Sequence, residues 1–277
     1  MIQDIEPLLF DNKFLDEIPT SNDWICIFSN EKILLKKSSA GRYKLPIYSD
    51  FEKLNDLIYL FKIGSHKIYL FQNENKIHVT EYDFSYQPFG IIFKEFPQWI
   101  QFACNTAKHL SNWYRDNRYC GRCGSLTVFE HLERALYCPI CKNVIYPIIS
   151  PVIIVGVIDK DRLLLTKYAH ADFKKYGLIA GYVEIGETLE VAVKREVCEE
   201  VGLKVENIRY FGSQPWGENH ILIAGFFADL KGSNHIRLDY EELSTGKWFY
   251  RHELPRELND TTITYDMIEA FRNNKAY

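Results

Sequence analysis

The sequence predicts an α+β protein with a small cysteine-rich module set between two larger mixed regions. Three observations carry this. Short β-like runs and amphipathic stretches are interspersed without the regular strand-helix alternation of a doubly wound sheet. Four of the seven cysteines, at 26, 104, 120, 123, 138, 141 and 198, form two Cys-x2-Cys pairs. The stretch KREVCEEVGL (194–203) crowds Glu196, Glu199 and Glu200 into a turn and a half of a helix.

With 277 residues the chain can hold two domains, or one large domain and a module, and can bury a sizeable core. Its 47% hydrophobic and 25% charged content is that of a soluble globular protein. No apolar run approaches the roughly 20 residues that span a bilayer, and MIQDIEPLLFDNK has no basic segment followed by an apolar one. The expected location is the cytoplasm, with no membrane partner. A net charge of −4 excludes a general attraction for nucleic acid or for an anionic substrate, so phosphate chemistry would need local positive charge, such as a metal.

In chain order, WICIF, KILLKK, KIYLF and KIHVT read as strands, separated by turn-rich SNE, NENK and SYQPFG. FPQWIQFACNTAKHLSNWYRDNRY (96–119) has apolar residues near three- and four-residue spacing and reads as a helix entering the cysteine module. PVIIVGVI and DRLLLTKY are two strands joined by a turn at Asp159, Lys160 and Asp161. Strands IRYFGSQ and HILIAGFFADL follow the glutamate helix, then KWFYRHELP and a last helix over TYDMIEAFRNNK.

Cys120-x2-Cys123 and Cys138-x2-Cys141 are the spacing of two knuckles that close a tetrahedral sulfur shell around structural zinc. Two reducible disulfides are disfavoured in a cytosolic protein, and a redox pair needs only one such motif. Four sulfurs leave no open position, so the site is assigned a structural role. Acidic Glu130 and Glu133 beside basic residues leave contact with nucleic acid open. Cys26, Cys104 and Cys198 lie among apolar neighbours and are expected to be buried.

Thr188 or Glu187 can cap the glutamate helix, Leu189, Ala192, Val193, Val197 and Val201 form its apolar face, and Gly202 ends it. Like charges at i, i+3 and i+4 each cost a few tenths of a kcal/mol. Solvent, Lys194 and Arg195, or a divalent cation would offset that. Carboxylate oxygens suit magnesium or manganese better than zinc.

Gly181, Glu187, Arg195, Glu196, Val197, Glu199, Glu200, Gly202 and Leu203 fill every fixed position of the Nudix box, and the chain resembles that superfamily. The cysteine ribbon before it, and SQPW (213–216) after it, resemble the NAD(H) pyrophosphatase subfamily. The resemblance implies a Nudix α/β/α sandwich at 147–277, a zinc ribbon at 116–146 and an N-terminal Nudix-like or mixed α/β domain at 1–115. It implies a homodimer that hydrolyses NADH or NAD to nicotinamide mononucleotide and AMP, and NAD-capped RNA in bacterial members. It also implies that Mg²⁺ or Mn²⁺ is held by the Ala180 carbonyl, Glu196, Glu199, Glu200 and Glu242, with Glu199 as ligand or as base. Glu187 and Arg195 would pair with each other or orient the glutamates. Glu133, Tyr146, Tyr182, Gln214 and Trp216 match substrate-contacting positions, the two tyrosines as stacking faces for bases.

The subfamily pattern continues SQPWPFPxS, whereas this chain reads SQPWGENHI. A proline-braced loop is exchanged for a flexible one with a carboxylate at Glu218, which repels a pyrophosphate if it points inward. ADP-ribose or another nucleoside diphosphate derivative is the alternative substrate. A non-catalytic ligand- or RNA-binding regulator is the rival from another class, disfavoured because every metal-binding glutamate is retained.

Overall fold

A computed structural model describes all residues except 16, 53, 74–82, 131, 171–174, 257–260 and 277. The chain divides into two compact units, one of Ile2–Ile148 with Gly217–His220, the other of Met1, Ile149–Trp216 and Ile221–Tyr277.

In the first unit, β1 (Phe10–Asp11), β2 (Trp24–Ser29), β3 (Lys32–Lys37), β4 (Tyr43–Lys44), β5 (Ile58–Ile63), β6 (His66–Phe71) and β7 (Phe84–Pro88) form one sheet. Its order is β1-β5-β6-β2-β3-β4, with β7 also on β3. The alternation of strand side chains puts Ile25 and Ile27 into one core with Leu34, Tyr59 and Tyr69, while Ile33 and Leu35 join Cys104 and Ile92 in another. α1 (Ile92–Glu95) and α2 (Gln98–Asp116) follow. Sequence periodicity missed β5 and read SYQPFG as a turn, although most of it is β7. The expected strand KIHVT (76–80) lies outside the described residues. The ribbon is a small sheet of β8 (Val128–Phe129), β9 (Leu136–Tyr137) and β10 (Val144–Ile145).

The second unit holds β11 (Ser150–Asp159), β12 (Arg162–Tyr168), β13 (Ile179–Tyr182), α3 (Leu189–Val201), β14 (Val205–Trp216), β15 (Ile221–Leu230), β16 (Leu243–Tyr250) and α4 (Ile263–Arg272). The sheet order is β14-β15-β11-β12-β16, with β13 on β11, and only β11 and β15 run parallel. Ile153, Val155 and Val157 pack with Ala192, Val193, Val197 and Val201 of α3. Ile154, Leu163 and Leu165 pack with Ile263, Met267, Ile268 and Phe271 of α4. A helix therefore covers each face of the sheet, which is the expected α/β/α sandwich.

Among the described residues, no helix is long and apolar enough to cross a membrane.

Candidate active site and zinc centre

The geometry of α3 sets the chemistry of the second unit. Thr188 caps it, its side chain accepting from Val191 N at 3.3 Å, and Gly202 ends it in the left-handed region at φ +69°. The expected apolar residues are buried, Leu189 partly. The three glutamates are not equivalent. Glu196 and Glu200 are buried at 8% and 2% exposure, whereas Glu199 is exposed. Cys198 is exposed too, a correction to its expected burial, because it lies on the outer side of the helix while Val197 and Val201 fill the inner one.

Gly181 on β13 makes room for Glu196. A Cβ at that position would lie 2.0 Å from Glu196 Oε1, so only glycine lets the carboxylate rest against the strand. Arg195 then ties the cluster together. It donates Nε and Nη2 to the two oxygens of Glu187 at 2.8 and 2.9 Å, and Nη1 to Glu196 Oε1 at 2.7 Å and Glu199 Oε2 at 3.0 Å. Nη2 also donates to the Tyr182 carbonyl at 2.9 Å. Its hydrogen bonds to Glu187 hold that carboxyl down at about 2, well below the ordinary range. The fork that offsets the crowding is thus part of the same motif.

Glu200 has no such neutralisation. Burial, then Glu196, Glu242, Asp239 and Glu199, push its carboxyl up to about 8. Its Oε2 is buried without a hydrogen-bond partner. Burial also raises Glu196 in spite of Arg195. Glu242, exposed just before β16, adds its charge to both. Two groups went unnoticed in the sequence, Asp239 and Tyr168. Tyr168 ends β12, and desolvation followed by Glu200, Glu242 and Glu196 pushes its hydroxyl up to about 12, although 45% of the residue is exposed. Neither sits in the box, and only the fold of β12 and of the 230–243 segment brings them to α3.

An orphaned buried carboxylate oxygen, a Glu196 carboxylate seated against β13 by Gly181 and an all-oxygen donor set fit a hard divalent cation. Among the described residues, however, the only group of three or more His, Cys, Asp or Glu ligand atoms within 4.8 Å of one another is the four-cysteine cluster. In that cluster Cys120 and Cys141 Sγ, and Cys123 and Cys138 Sγ, lie 3.5 Å apart. Zinc–sulfur bonds of about 2.3 Å would separate tetrahedral thiolates by roughly 3.8 Å, so the shell is close to closed around a zinc-sized centre. No disulfide links these cysteines.

The remaining expected residues fall into two groups. In the first unit, Tyr146 is 52% exposed and donates its hydroxyl to Glu133 Oε1 at 2.6 Å, so the two act together and neither is core. In the second unit, Tyr182 is 54% exposed at the end of β13, and Trp216 is half-buried at the end of β14. Gln214, matched to a substrate-contacting position, has its side chain engaged within the second unit. It is 1% exposed, its Nε2 donates to the Thr261 carbonyl at 2.9 Å, and its Oε1 accepts from Ile263 N at 2.5 Å. Its amide fixes the start of α4.

The GENH segment departs from the expected flexible loop. Gly217–Asn219 form a 3-10 turn within the first unit. A Cβ on Gly217 would lie 2.1 Å from the Asn105 carbonyl oxygen, and Asn105 Oδ1 accepts from Glu218 N at 3.0 Å. His220 stacks on His109 with ring centres 4.6 Å apart. Lost prolines are replaced by contacts to α2.

Comparison with known proteins agrees with this arrangement. Residues 149–271 match the NUDIX domain family and residues 115–146 the NADH pyrophosphatase zinc ribbon domain. The chain is 37% identical over 204 residues to "NAD-capped RNA hydrolase NudC" of Photobacterium profundum, covering 74% of each chain. It is 42% identical over 160 residues to the protein of the same name from Photorhabdus laumondii, across 58% of this chain and 62% of the relative. A NUDIX hydrolase structure from Nitrosomonas europaea, 23% identical, aligns with a TM-score of 0.46 over 55% of this chain and 90% of its own. With the ribbon and the Nudix domain in succession, and with the extent of the Photobacterium match, the chain belongs to the NudC family of zinc-ribbon Nudix proteins.

Proposed function

We propose that this protein hydrolyses the diphosphate of NADH or NAD to nicotinamide mononucleotide and AMP, and opens the same bond in NAD-capped RNA. The observation that carries the reading is the buried pair Glu196 and Glu200, organised by Arg195 and Gly181 and left with a carboxylate oxygen that has no partner. The name carried by the relatives, which are 37–42% identical over 160–204 residues, supports the substrate class.

In this reading Glu196, Glu199, Glu200, Glu242 and the Ala180 carbonyl would hold Mg²⁺ or Mn²⁺. The cation, when bound, supplies the positive charge that lets a diphosphate approach four carboxylates and that stabilises charge on its oxygens during displacement by water. Arg195 holds Glu196 in place and keeps Glu187 ionised. Glu199, exposed and held by a single bond to Arg195, has the freedom to accept a proton from the attacking water. Tyr182 and Tyr146 offer open ring faces for bases, with Glu133 fixing the Tyr146 hydroxyl, and Trp216 adds a further aromatic surface. Zinc in the ribbon has a structural role. Residues 1–115, 116–146 and 147–277 serve as N-terminal, ribbon and catalytic domains of a cytoplasmic homodimer.

The GENH sequence in place of the subfamily's proline-rich continuation favours a second reading, in which ADP-ribose or another nucleoside diphosphate derivative is the better substrate. A panel of NADH, NAD, ADP-ribose, diadenosine polyphosphates and NAD-capped RNA, with Mg²⁺ and with Mn²⁺, separates the two. The first reading expects the highest kcat/KM on NADH, NAD or the capped RNA. Brisk cleavage of ADP-ribose with no AMP from NADH replaces it with the second. Tight binding without turnover of any compound would revive the regulator.

A further inference from the structure

We propose that the first unit carries a nucleotide site of its own, in a cleft of about 450 Å³ between the end of β2, the second half of α2 and the ribbon. None of its lining residues belongs to the machinery described above. The volume is that of ordinary small-ligand sites, which run from about 300 to 1,000 Å³.

The lining has the three components that a nucleotide needs. The first is flat apolar surface. Tyr114, 4% exposed, braces Phe129 with ring centres 5.5 Å apart, and Phe129 keeps 48% of its surface open. Phe28 also lines the cleft. A buried ring supporting an open one is a platform on which any base can stack.

The second is positive charge. Arg115 and Arg118 project from the end of α2 and its following turn, and among the described residues Asp56 is the only acidic one in the lining. Arg115 gives its Nε to exposed Asp116 at 2.8 Å, which leaves its other nitrogens as donors. Arg118 makes no ion pair among the described residues and stands 6.0 Å over the Tyr119 ring. The lining holds two arginines to one aspartate on a chain whose net charge is −4, with Arg115 sharing its charge with Asp116 beside it. The guanidinium donors of Arg118, and those of Arg115 not turned to Asp116, suit a phosphate oxygen.

The third is a polar edge. Asn30 supplies a carboxamide, and the Thr127 hydroxyl, which donates to the Asn117 carbonyl at 2.8 Å, keeps its oxygen as an acceptor. Phosphate alone would not call for the aromatic wall, and an apolar ligand would not call for two arginines. A base joined to a phosphate calls for both. It can come as a free mononucleotide or as one residue of a single-stranded RNA.

The experiment uses the full-length, zinc-loaded protein without added Mg²⁺, and three probes: AMP, inorganic phosphate and a 3′-labelled octaribonucleotide with a 5′-hydroxyl end, which has no diphosphate to cut. Binding is measured by calorimetry and anisotropy for the wild type, for Arg115→Glu with Arg118→Glu, and for Phe129→Ala. We expect the double variant to weaken octamer binding by about tenfold or more, and Phe129→Ala by about fivefold or more. NADH kcat and KM, zinc content and Tm should stay near wild type. Equal loss for AMP and octamer identifies a free mononucleotide as the ligand, and loss for the octamer alone identifies an RNA strand. The site is overturned if the wild type binds neither AMP nor octamer, if phosphate binds as tightly as the tighter of those two, or if folded variants bind both as well as wild type. Phe129→Leu, which keeps apolar bulk but removes the ring face, provides the same test should Phe129→Ala not fold. Loss of octamer binding in a protein that never cuts NADH would sink the proposed function and leave this site standing. Normal NADH cleavage with unaltered octamer binding would do the reverse.

Discussion

At the scale of single residues, two carboxylates of the same cluster stand in contrast. Glu187 is ionised and satisfied by Arg195, whereas Glu200 is buried, unpaired and pushed up to about 8. Its ordinary value is 4.5, so between those values the folded protein without Mg²⁺ holds a proton that the unfolded chain has released. Stability from this group is full below about 4.5 and declines as pH rises through 8. Glu187 acts in the opposite sense, stabilising above 4.5 and losing that contribution as pH falls towards 2. Thermal melts of the zinc-loaded protein without Mg²⁺ should therefore show Tm falling from mildly acidic pH to pH 8. Mg²⁺ or Glu200→Gln should flatten that fall, and a fall unchanged in both would remove Glu200 from its role. Of these residues the sequence made the Arg195 and Glu187 pairing legible, since the box itself spaces them. Burial of Glu200 but not Glu199 depended on which side of α3 meets the sheet.

At the scale of elements, α3 and β13 form one device. Gly181→Ala would drive a methyl group into Glu196, which Arg195 holds in place. We expect turnover to fall at least about tenfold and stability to fall by about 1–3 kcal/mol, read from initial rates and urea unfolding. Thr188→Ala removes only the cap and should cost about 1 kcal/mol with little change in kcat. Similar activity loss in both variants would mean that helix stability, and not the fit of Glu196, governs the rate. Helix α3 was readable because its cap, apolar stripe and terminal glycine are local. Gln214 and the GENH turn were not, because their partners are distant in sequence. Gln214 is bonded to backbone 47 and 49 residues away, and Glu218 to Asn105 at a separation of 113. The strand β7 was hidden for a similar reason, since its pairing with β3 outweighs the turn character of SYQP.

At the scale of the whole molecule, the expected α+β architecture and the succession of ribbon and Nudix domain are found, the first legible in the run of strands and helices and the second in cysteine spacing and in the resemblance of residues 181–203 to the Nudix box. Four converging thiolates predict one zinc per chain by elemental analysis. Cys138→Ser, which removes a buried ligand, should release the metal and lower Tm, while retained zinc and Tm would argue against a structural site. In the proposed reaction the glutamate cluster uses a divalent cation to open a dinucleotide diphosphate. Its most direct test is the products of NADH incubated with zinc-loaded wild type and Glu200→Gln, each with and without Mg²⁺. Wild type with Mg²⁺ is expected to give nicotinamide mononucleotide and AMP, and the variant at least about a hundredfold less. Equal product without added cation, or equal rates in the variant, would contradict it.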